Sequence, residues 1–243
     1  MGRRSPFILF WENRGVEITW YGETCVRLRG REGVVAVDAY RSIVGPTGRG
    51  LTADIVAYSH ADPRPDVPRG RRGARPAPNG HVTLPTSLQD AFALEGPGEF
   101  EVHDVLITAV RTYRDESKGA LHGPNVSFVV ELDGLHAVHL GDIGHLLSET
   151  MLGEIGAVDV VCVPIGGHLS AARAAELVAQ LDANLVVPLP VCEAESDCDR
   201  ELARFLHEMG VGQAPDPQAR LTVTPSSVPQ ELTLIRLESR NKG

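Results

Sequence analysis

The chain has 243 residues, 42% of them hydrophobic, which is typical of a globular protein with a buried core. Its net charge of −9 argues against a general nucleic-acid-binding protein. No segment approaches the ~18 apolar residues of a membrane-spanning helix, and the apolar run near the N-terminus is too short for a signal peptide. We therefore expect a cytoplasmic protein, with residues 1–15 as an N-terminal extension and residues 16–243 as a single domain.

The first half of the chain consists of short β-forming runs separated by turns. Runs of valine, isoleucine, threonine and aromatic residues that end at glycine predict strands. The predicted strands are residues 16–21, 25–28, 34–37, 55–58, 100–110 with a break at His103-Asp104, 126–132 and 135–140. Residues 60–80 contain five prolines, five arginines and no apolar periodicity, which predicts an irregular, mobile loop.

Helices and strands alternate in the second half. Ser148 and Ser170 are each placed to cap a helix. A further amphipathic helix carries Leu202, Phe205 and Leu206 and is expected to end at Gly210. The strands predicted here are residues 158–163, 185–187, 221–224 and 231–237. A strand-rich half followed by alternating helices and strands predicts a layered α/β protein.

The four cysteines show no C-x-x-C spacing. Cys25 and Cys162 lie inside apolar strand-like runs, and we expect both to be buried free thiols. Cys192 and Cys198 flank an acidic loop, where we expect neither a disulfide nor a metal-binding role.

Several separated stretches carry a family signature. They are residues 18–25 (ITWYGETC), Asp38 at the end of a predicted strand, residues 53–60 (ADIVAYSH), residues 139–145 (HLGDIGH) and residues 163–167 (VPIGG). Over about residues 16–210 the chain resembles the metallo-β-lactamase superfamily, in its ascorbate-6-phosphate-lactonase-like branch. The resemblance implies an αββα four-layer sandwich. It also implies hydrolase chemistry, in which one or two Zn or Mn ions at the sheet edge generate hydroxide from water.

The metal ligands implied by the resemblance are mostly absent. His60 matches the first histidine of the family's His-x-His-x-Asp-His motif, Asp142 matches the bridging aspartate, and Asp62 replaces the second histidine. The four other ligand positions are occupied by Arg64, Pro65, Arg114 and Pro190. Proline has no side-chain donor, and arginine is a permanent cation. We therefore expect the two-metal centre to be lost.

Two alternatives remain for the residual polar groups. His60, Asp62, Asp142 and His168 would supply enough ligands for a single-metal site, with Zn or Mn as the ion. Alternatively, Arg64 or Arg114 pairs with Asp62 or Asp142 and replaces the charge of the metal by a salt bridge. The second alternative is our prediction, and with it we expect no cofactor.

The remaining histidines are interpreted as structural. His139 and His145 match the family's turn but lie outside its metal ligands, so we expect them to make structural hydrogen bonds. The Gly123-Pro124-Asn125 turn is expected to position the backbone. Five histidines are interpreted as loop or surface residues: His81, His103, His122, His136 and His207.

The function that these observations favour is that of a pseudoenzyme. We predict a non-catalytic protein on a hydrolase fold that binds a ligand or a partner, and arginines at former metal positions suit a small anionic ligand such as a phosphate or carboxylate. The alternative is a residual or altered hydrolase that uses a mononuclear metal site. We expect neither nucleic acid nor a membrane as a partner, and the sequence leaves open whether the chain forms a homo-oligomer.

Overall fold

The computed structural model describes residues 15–62, 83–94, 96–192 and 195–240. The predicted N-terminal extension, except Gly15, and nearly all of the predicted loop at residues 60–80 lie outside the described residues. Within the described part, the strands form one six-stranded and one seven-stranded sheet.

The first sheet is mixed, and its strand order is β12-β1-β2-β3-β4-β5. Its strands are β1 (Val16–Gly22), β2 (Cys25–Arg29), β3 (Val34–Val37), β4 (Ile55–Ala57), β5 (Phe92–Ala93) and β12 (Leu221–Val223). The pairs from β12 to β3 are antiparallel, whereas β3, β4 and β5 run parallel to one another. The carboxyl ends of β3 and β4 therefore meet at one edge of this sheet.

The second sheet has the strand order β13-β11-β10-β9-β8-β7-β6. Its strands are β6 (Gly98–Val102), β7 (Val105–Tyr113), β8 (Pro124–Leu132), β9 (Leu135–His139), β10 (Val160–Ile165), β11 (Leu185–Pro190) and β13 (Thr233–Leu234). Strands β6 to β9 are antiparallel, and β9, β10, β11 and β13 are parallel. The loops that follow β9, β10 and β11 therefore leave the same edge.

Helices cover the outer faces of the two sheets. They are α1 (Arg41–Val44), α2 (Glu149–Ile155), α3 (Ala171–Leu181) and α4 (Glu195–Glu208), with short 3-10 turns at Gly48–Gly50, Thr86–Leu88 and Pro225–Ser227. The predicted caps are confirmed, because Ser148 Oγ accepts a hydrogen bond from Met151 N and Ser170 Oγ accepts one from Arg173 N.

The core lies in three layers, because successive side chains of a strand point to opposite faces of its sheet and both faces of each sheet are covered. Between the sheets, Ile18 of β1 belongs to the same buried cluster as Val105 and Ile107 of β7. Outside the second sheet, Val161 of β10 packs in the cluster that contains Phe205 of α4. Strand β10 is therefore buried on both faces, as its uninterrupted apolar sequence predicts.

Outside the first sheet, a third buried cluster joins Ala36 and Val56 of the sheet to Tyr40, Ile43 and Leu51. The architecture is thus two sheets between helical layers, which confirms the predicted αββα sandwich. Burial of the Ile43 and Val44 side chains in this layer explains α1, a single helical turn that the sequence does not predict.

The cysteine prediction is half right. Cys25 and Cys162 are free and buried, as expected. The expectation for the other two is wrong, because Cys192 and Cys198 are joined by a disulfide, with their Cα atoms 5.6 Å apart. The bridge connects the segment after β11 to α4 across a separation of six residues, which brings the two side chains close without any C-x-x-C spacing. Among the described residues, no helix has both the length and the apolarity to span a membrane.

Candidate functional site

The candidate site lies where the carboxyl edges of the two sheets meet. Asp38 and Ser59 follow β3 and β4 of the first sheet, and Asp142 and His168 follow β9 and β10 of the second. The contact between the edges is close at Gly141, whose φ is +67°. A Cβ atom added there would lie 2.5 Å from Ser59 Cβ and 2.5 Å from Asn125 Oδ1, so only glycine fits.

Arg114 and Asp142 form the central ion pair of this edge. Arg114 directly follows β7, and its Nη2 and Nε donate hydrogen bonds to Asp142 Oδ2 at 2.6 and 2.9 Å. Its third engaged nitrogen, Nη1, donates to the carbonyl oxygen of His122 at 3.2 Å. The Asp142 side chain is only 5% exposed and that of Arg114 is 21% exposed, so the pair is largely shielded from water. The predicted charged contact between one of the arginines and one of the aspartates is confirmed.

His168 is the second partner of the Asp142 carboxylate. Its Nε2 lies 3.3 Å from Asp142 Oδ2, and its ring stacks on the ring of His122 with centroids 4.3 Å apart. Burial alone would raise the pKa of Asp142, but the hydrogen bond from His168 and the nearby cationic charge, with Arg114 as its permanent source, outweigh burial and lower that pKa. Asp142 is therefore ionised at neutral pH.

The backbone turn that presents Asp142 is fixed by Asn125. The Asn125 amide donates to Leu140 O and Thr112 Oγ1, and its Oδ1 accepts the hydrogen bond of Asp142 N at 3.0 Å. All three contacts are buried, so the amide orientation is determined by its partners. The prediction that the Gly-Pro-Asn turn positions the backbone is confirmed.

On the first sheet, Asp38, Ser59 and His60 form a buried hydrogen-bonded chain. Asp38 Oδ1 accepts from Ser59 N at 2.7 Å, and Asp38 Oδ2 accepts from Ser59 Oγ at 2.6 Å. Ser59 Oγ lies 2.7 Å from His60 Nδ1. Burial lowers the pKa of His60, and the opposing effect of the Asp38 and Asp142 charges does not restore it. The His60 imidazole is therefore neutral at neutral pH.

A cavity of about 420 Å³ opens between these groups. Its polar wall includes His60, Arg111, Arg114 and His122, and its apolar wall includes Tyr58, Pro97, Pro124 and Val126. Arg111 is exposed, and among the described residues its guanidinium has neither a carboxylate partner nor a hydrogen-bond acceptor. The cavity thus combines an apolar surface with an excess of nitrogen donors.

The loop that carries His122 is organised around Asp115. The Asp115 carboxylate accepts hydrogen bonds from the backbone nitrogens of Ser117, Gly119, Leu121 and His122. Burial works to raise the pKa of Asp115, but these four donors outweigh it and lower the pKa. The loop between β7 and β8 therefore has a fixed shape, with the His122 carbonyl held against Arg114.

The four residues proposed as metal ligands are brought together only in part. Asp142 and His168 are in contact, and His60 is close enough for its pKa to respond to the Asp142 charge. Asp62 accepts a hydrogen bond from Ser42 Oγ of α1 at 2.6 Å. In residues 15–62, 83–94, 96–192 and 195–240, no three His, Cys, Asp or Glu side chains are grouped so that they could hold a metal ion. Ligation of a metal by the set of four stays the alternative to the ion pair.

The donor chemistry around Asp142 does not fit a two-metal centre. Asp142 Oδ2 already accepts from Arg114, a permanent cation that would repel a divalent ion at this distance. Pro190, at the end of β11, has no side-chain donor. One feature still suits a cation, namely Asp142 Oδ1, which is buried and has no hydrogen-bond partner in the described part of the chain.

The histidines of the turn after β9 are structural, as predicted. His139 Nδ1 accepts from Gly141 N, so its Nε2 carries the hydrogen and donates to Thr24 O at 2.7 Å. His145 Nε2 accepts from Tyr113 N, and its Nδ1 donates to Leu146 O. Both rings connect loops and neither lines the cavity.

Sequence reasoning missed three groups of this site. His122 was interpreted as a surface residue, yet it lines the cavity. Arg111 directly follows the strand predicted at residues 100–110, and no motif marks it. Its spacing from Arg114 gives no signal either, because a strand period of two places residues three apart on opposite faces. Ser59 matches a family position without a known ligand role, so its contact with His60 was not expected.

Comparison with known proteins identifies the family to which the sequence is similar. The sequence profile of the beta-lactamase superfamily domain matches residues 17–190. A metal-dependent hydrolase of Methanosphaerula palustris is 24% identical over 214 residues, which cover 81% of this chain and 95% of that protein. A metal-dependent hydrolase of Thermoplasma volcanium is 25% identical over 192 residues, covering 72% of this chain and 82% of that protein.

Solved structures show the same fold. A protein of Thermotoga maritima, described as a zinc-dependent hydrolase of the metallo-β-lactamase superfamily, superposes with a TM-score of 0.64 at 24% identity, over 92% of this chain and 99% of that chain. A metallo hydrolase of Ignicoccus hospitalis superposes with a TM-score of 0.56 at 17% identity, over 86% and 97% of the two chains. At these identities the likeness shows the fold alone.

Proposed function

This chain belongs to the metallo-β-lactamase superfamily, and we propose that it is a non-catalytic member that binds a small anionic ligand in the cavity beside Arg114. The observation that carries the proposal is the pair of hydrogen bonds from Arg114 to Asp142 Oδ2. A carboxylate that would bridge metal ions in active relatives is neutralised here by a guanidinium of the same chain. The positive charge that balances Asp142 is thus supplied by Arg114 of the protein instead of by a metal ion.

The cavity supports an anionic ligand because of its donors. Arg111 has no acceptor among the described residues, and Arg114 uses three of its N–H groups on Asp142 and His122. A guanidinium has five N–H donors in a planar fork that suits carboxylate and phosphate oxygens. Asp142 cancels the charge of Arg114, so Arg111 supplies the uncompensated positive charge. A small anion would satisfy these donors.

The second candidate function is an altered hydrolase with a single metal ion. Asp142 Oδ1 is buried without a hydrogen-bond partner in the described part of the chain, and His168 Nε2 lies beside the same carboxylate. The relatives are named metal-dependent hydrolases, which favours a metal ion as the cofactor, and nitrogen and oxygen ligands suit Zn or Mn. This candidate requires Arg114 to leave Asp142, at the cost of a shielded ion pair.

The metal content of the purified protein separates the two candidates. We expect plasma emission spectrometry to find well under one Zn or Mn ion per chain after purification without chelators. We also expect no hydrolysis of phosphodiester or ester probes when either ion is added. One or two tightly bound ions per chain, with turnover that a chelator abolishes, would establish the hydrolase instead.

A substitution sharpens this test. Arg114→His places an imidazole next to Asp142 and removes the cation, so the variant should bind Zn more tightly than the wild type. Arg29→His is the control, because Arg29 is exposed at the end of β2 and does not line the cavity. Equal Zn affinity in the wild type and both variants would mean that Arg114 does not exclude the metal.

A further inference from the structure

We propose that the ligand of this cavity is a small oxyanion that also carries a hydroxyl group, whose anionic end binds Arg111 and Arg114 and whose hydroxyl donates to Nε2 of His60. This inference rests on the proposed function and adds the chemical class of the ligand. It follows from counting the hydrogen-bond donors and acceptors that the cavity leaves without a partner.

The acceptor is defined by the chain from Asp38 to His60. The Asp38 carboxylate can only accept hydrogen bonds, so the single Ser59 hydroxyl hydrogen is donated to Asp38 Oδ2. Ser59 Oγ must then accept from His60, whose Nδ1 lies 2.7 Å away. The His60 hydrogen is therefore on Nδ1, and Nε2 carries a lone pair. The tautomer is fixed by two groups of the protein itself, Asp38 and Ser59.

Among the described residues, the Nε2 lone pair has no hydrogen-bond partner. His60 lines the cavity, its side chain is only 4% exposed, and its side-chain hydrogen bond within this part of the chain is made by Nδ1. The ring is further held by Tyr40, whose centroid lies 5.1 Å from that of His60 and whose hydroxyl donates to His60 O. A shielded acceptor that cannot turn away is best satisfied by a donor on the ligand.

Among the described residues that line the cavity, most of the donors that remain are nitrogens of arginine. Three of the five N–H groups of Arg114 are engaged, so two remain, and those of Arg111 all remain among the described residues. The ring nitrogens of His122 can each donate or accept a hydrogen bond, since the one contact of the ring within the described part of the chain is its stacking on His168. The cavity therefore suits a ligand that has negatively charged hydrogen-bond acceptors at one end and a hydrogen-bond donor at the other. A hydroxylated carboxylate or a hydroxylated phosphate monoester has this pattern.

The volume limits the ligand to a small molecule. A cavity of about 420 Å³ lies at the lower end of the range for small-molecule sites. Its apolar wall of Tyr58, Pro97, Pro124 and Val126 suits a short carbon skeleton between the two polar ends.

Matched pairs of probes test this assignment on the full-length protein. Calorimetric titrations would compare propionate with lactate, and propyl phosphate with 3-hydroxypropyl phosphate. Within each pair the hydroxylated member should bind about threefold to tenfold tighter, the effect of one added neutral hydrogen bond. The pair with the larger hydroxyl effect identifies the anion as a carboxylate or a phosphate.

Substitutions assign the effect to the named groups. In His60→Phe, which keeps a ring but removes the acceptor, the hydroxyl advantage should disappear while propionate and propyl phosphate bind as before. Arg111→Gln should weaken both members of a pair equally, and the exposed control Arg29→Gln should change neither. If His60→Phe fails to fold, the nitrogen-15 resonance of His60 Nε2 in the wild type replaces it. The chemical shift of that resonance should change when the hydroxylated probe is added. It should stay unchanged when the member of the pair without the hydroxyl is added.

The possible results separate the two proposals. Equal binding within both pairs, together with weaker binding in Arg111→Gln, would overturn the hydroxyl assignment and leave anion binding intact. No saturable binding of any probe or of inorganic phosphate, or binding that ignores Arg111 and Arg114, would overturn the proposed function itself.

Discussion

Arg114 and Asp142 stand 28 positions apart in the chain and meet through two hydrogen bonds of 2.6 and 2.9 Å to a single carboxylate oxygen. They join the loop after β7 to the turn after β9. Because the carboxylate is shielded and the guanidinium is partly exposed, removing one partner has a different cost from removing the other.

Arg114→Gln should destabilise the protein by about 2 kcal/mol. The substitution leaves the Asp142 carboxylate buried, with His168 as its remaining side-chain contact among the described residues, and a buried charge without a cationic partner costs several kcal/mol, reduced here by the partial exposure of the site. Asp142→Asn should cost less, because the freed guanidinium can turn to solvent. Urea unfolding of both variants and of the double variant gives the coupling energy, and a coupling near zero would contradict a structural ion pair.

Gly141→Ala should destabilise the protein by more than about 2 kcal/mol. The added methyl group would meet Ser59 and Asn125, and the positive φ disfavours alanine independently of the clash. Gly153→Ala is the matched control, since Gly153 lies in α2 with no atom within 4 Å of its added Cβ. The control should be neutral or stabilising by about 0.5–1 kcal/mol, because alanine favours the helix. Thermal and urea unfolding would compare the pair.

His139 should remain neutral below its ordinary pKa. Burial lowers the pKa of His139, so the folded state binds fewer protons than the unfolded state just below pH 6.5. Stability should therefore rise with pH through that window and fall as the solution becomes more acidic. Nitrogen-15 resonances of the imidazole at pH 6.5 would show one neutral tautomer, with the hydrogen on Nε2. A titration midpoint at or above 6.5 would contradict the buried arrangement.

The sequence was informative where a backbone pattern and a chemical signature coincide. The pairing of Arg114 with Asp142 could be predicted because a cation and an anion occupy positions that share one metal in the family, and both follow strands that end at the same edge. Arg111 and His122 could not be predicted, because their approach to the cavity depends on the tertiary position of the end of β7 and on the loop shaped by Asp115. Neither feature leaves a periodic signal.

Short elements were missed for a similar reason. The turn of α1 and the two-residue strand β5 are formed by burial against neighbouring parts of the first sheet, and their own sequences carry no period long enough to detect. The disulfide was missed because cysteine spacing alone does not show whether two side chains face each other.

The disulfide between Cys192 and Cys198 should contribute to the stability of the protein. It closes a small loop between the end of β11 and α4, and a loop of this size contributes about 2 kcal/mol in the chain-entropy account. A reducing agent should therefore lower the unfolding temperature of the wild type. The same agent should have no effect on the variant in which both residues are alanine.

Alkylation provides an independent measurement of the same bond. Burial raises the pKa of Cys162 to about 12 and that of Cys25 well above its usual value, so neither thiol should react while the protein is folded. Mass spectrometry of the native protein should find no alkylated cysteine before reduction and two after it, at Cys192 and Cys198. Modification of these two residues in the absence of reductant would show that they are thiols, and the effect of the reducing agent would then require another origin.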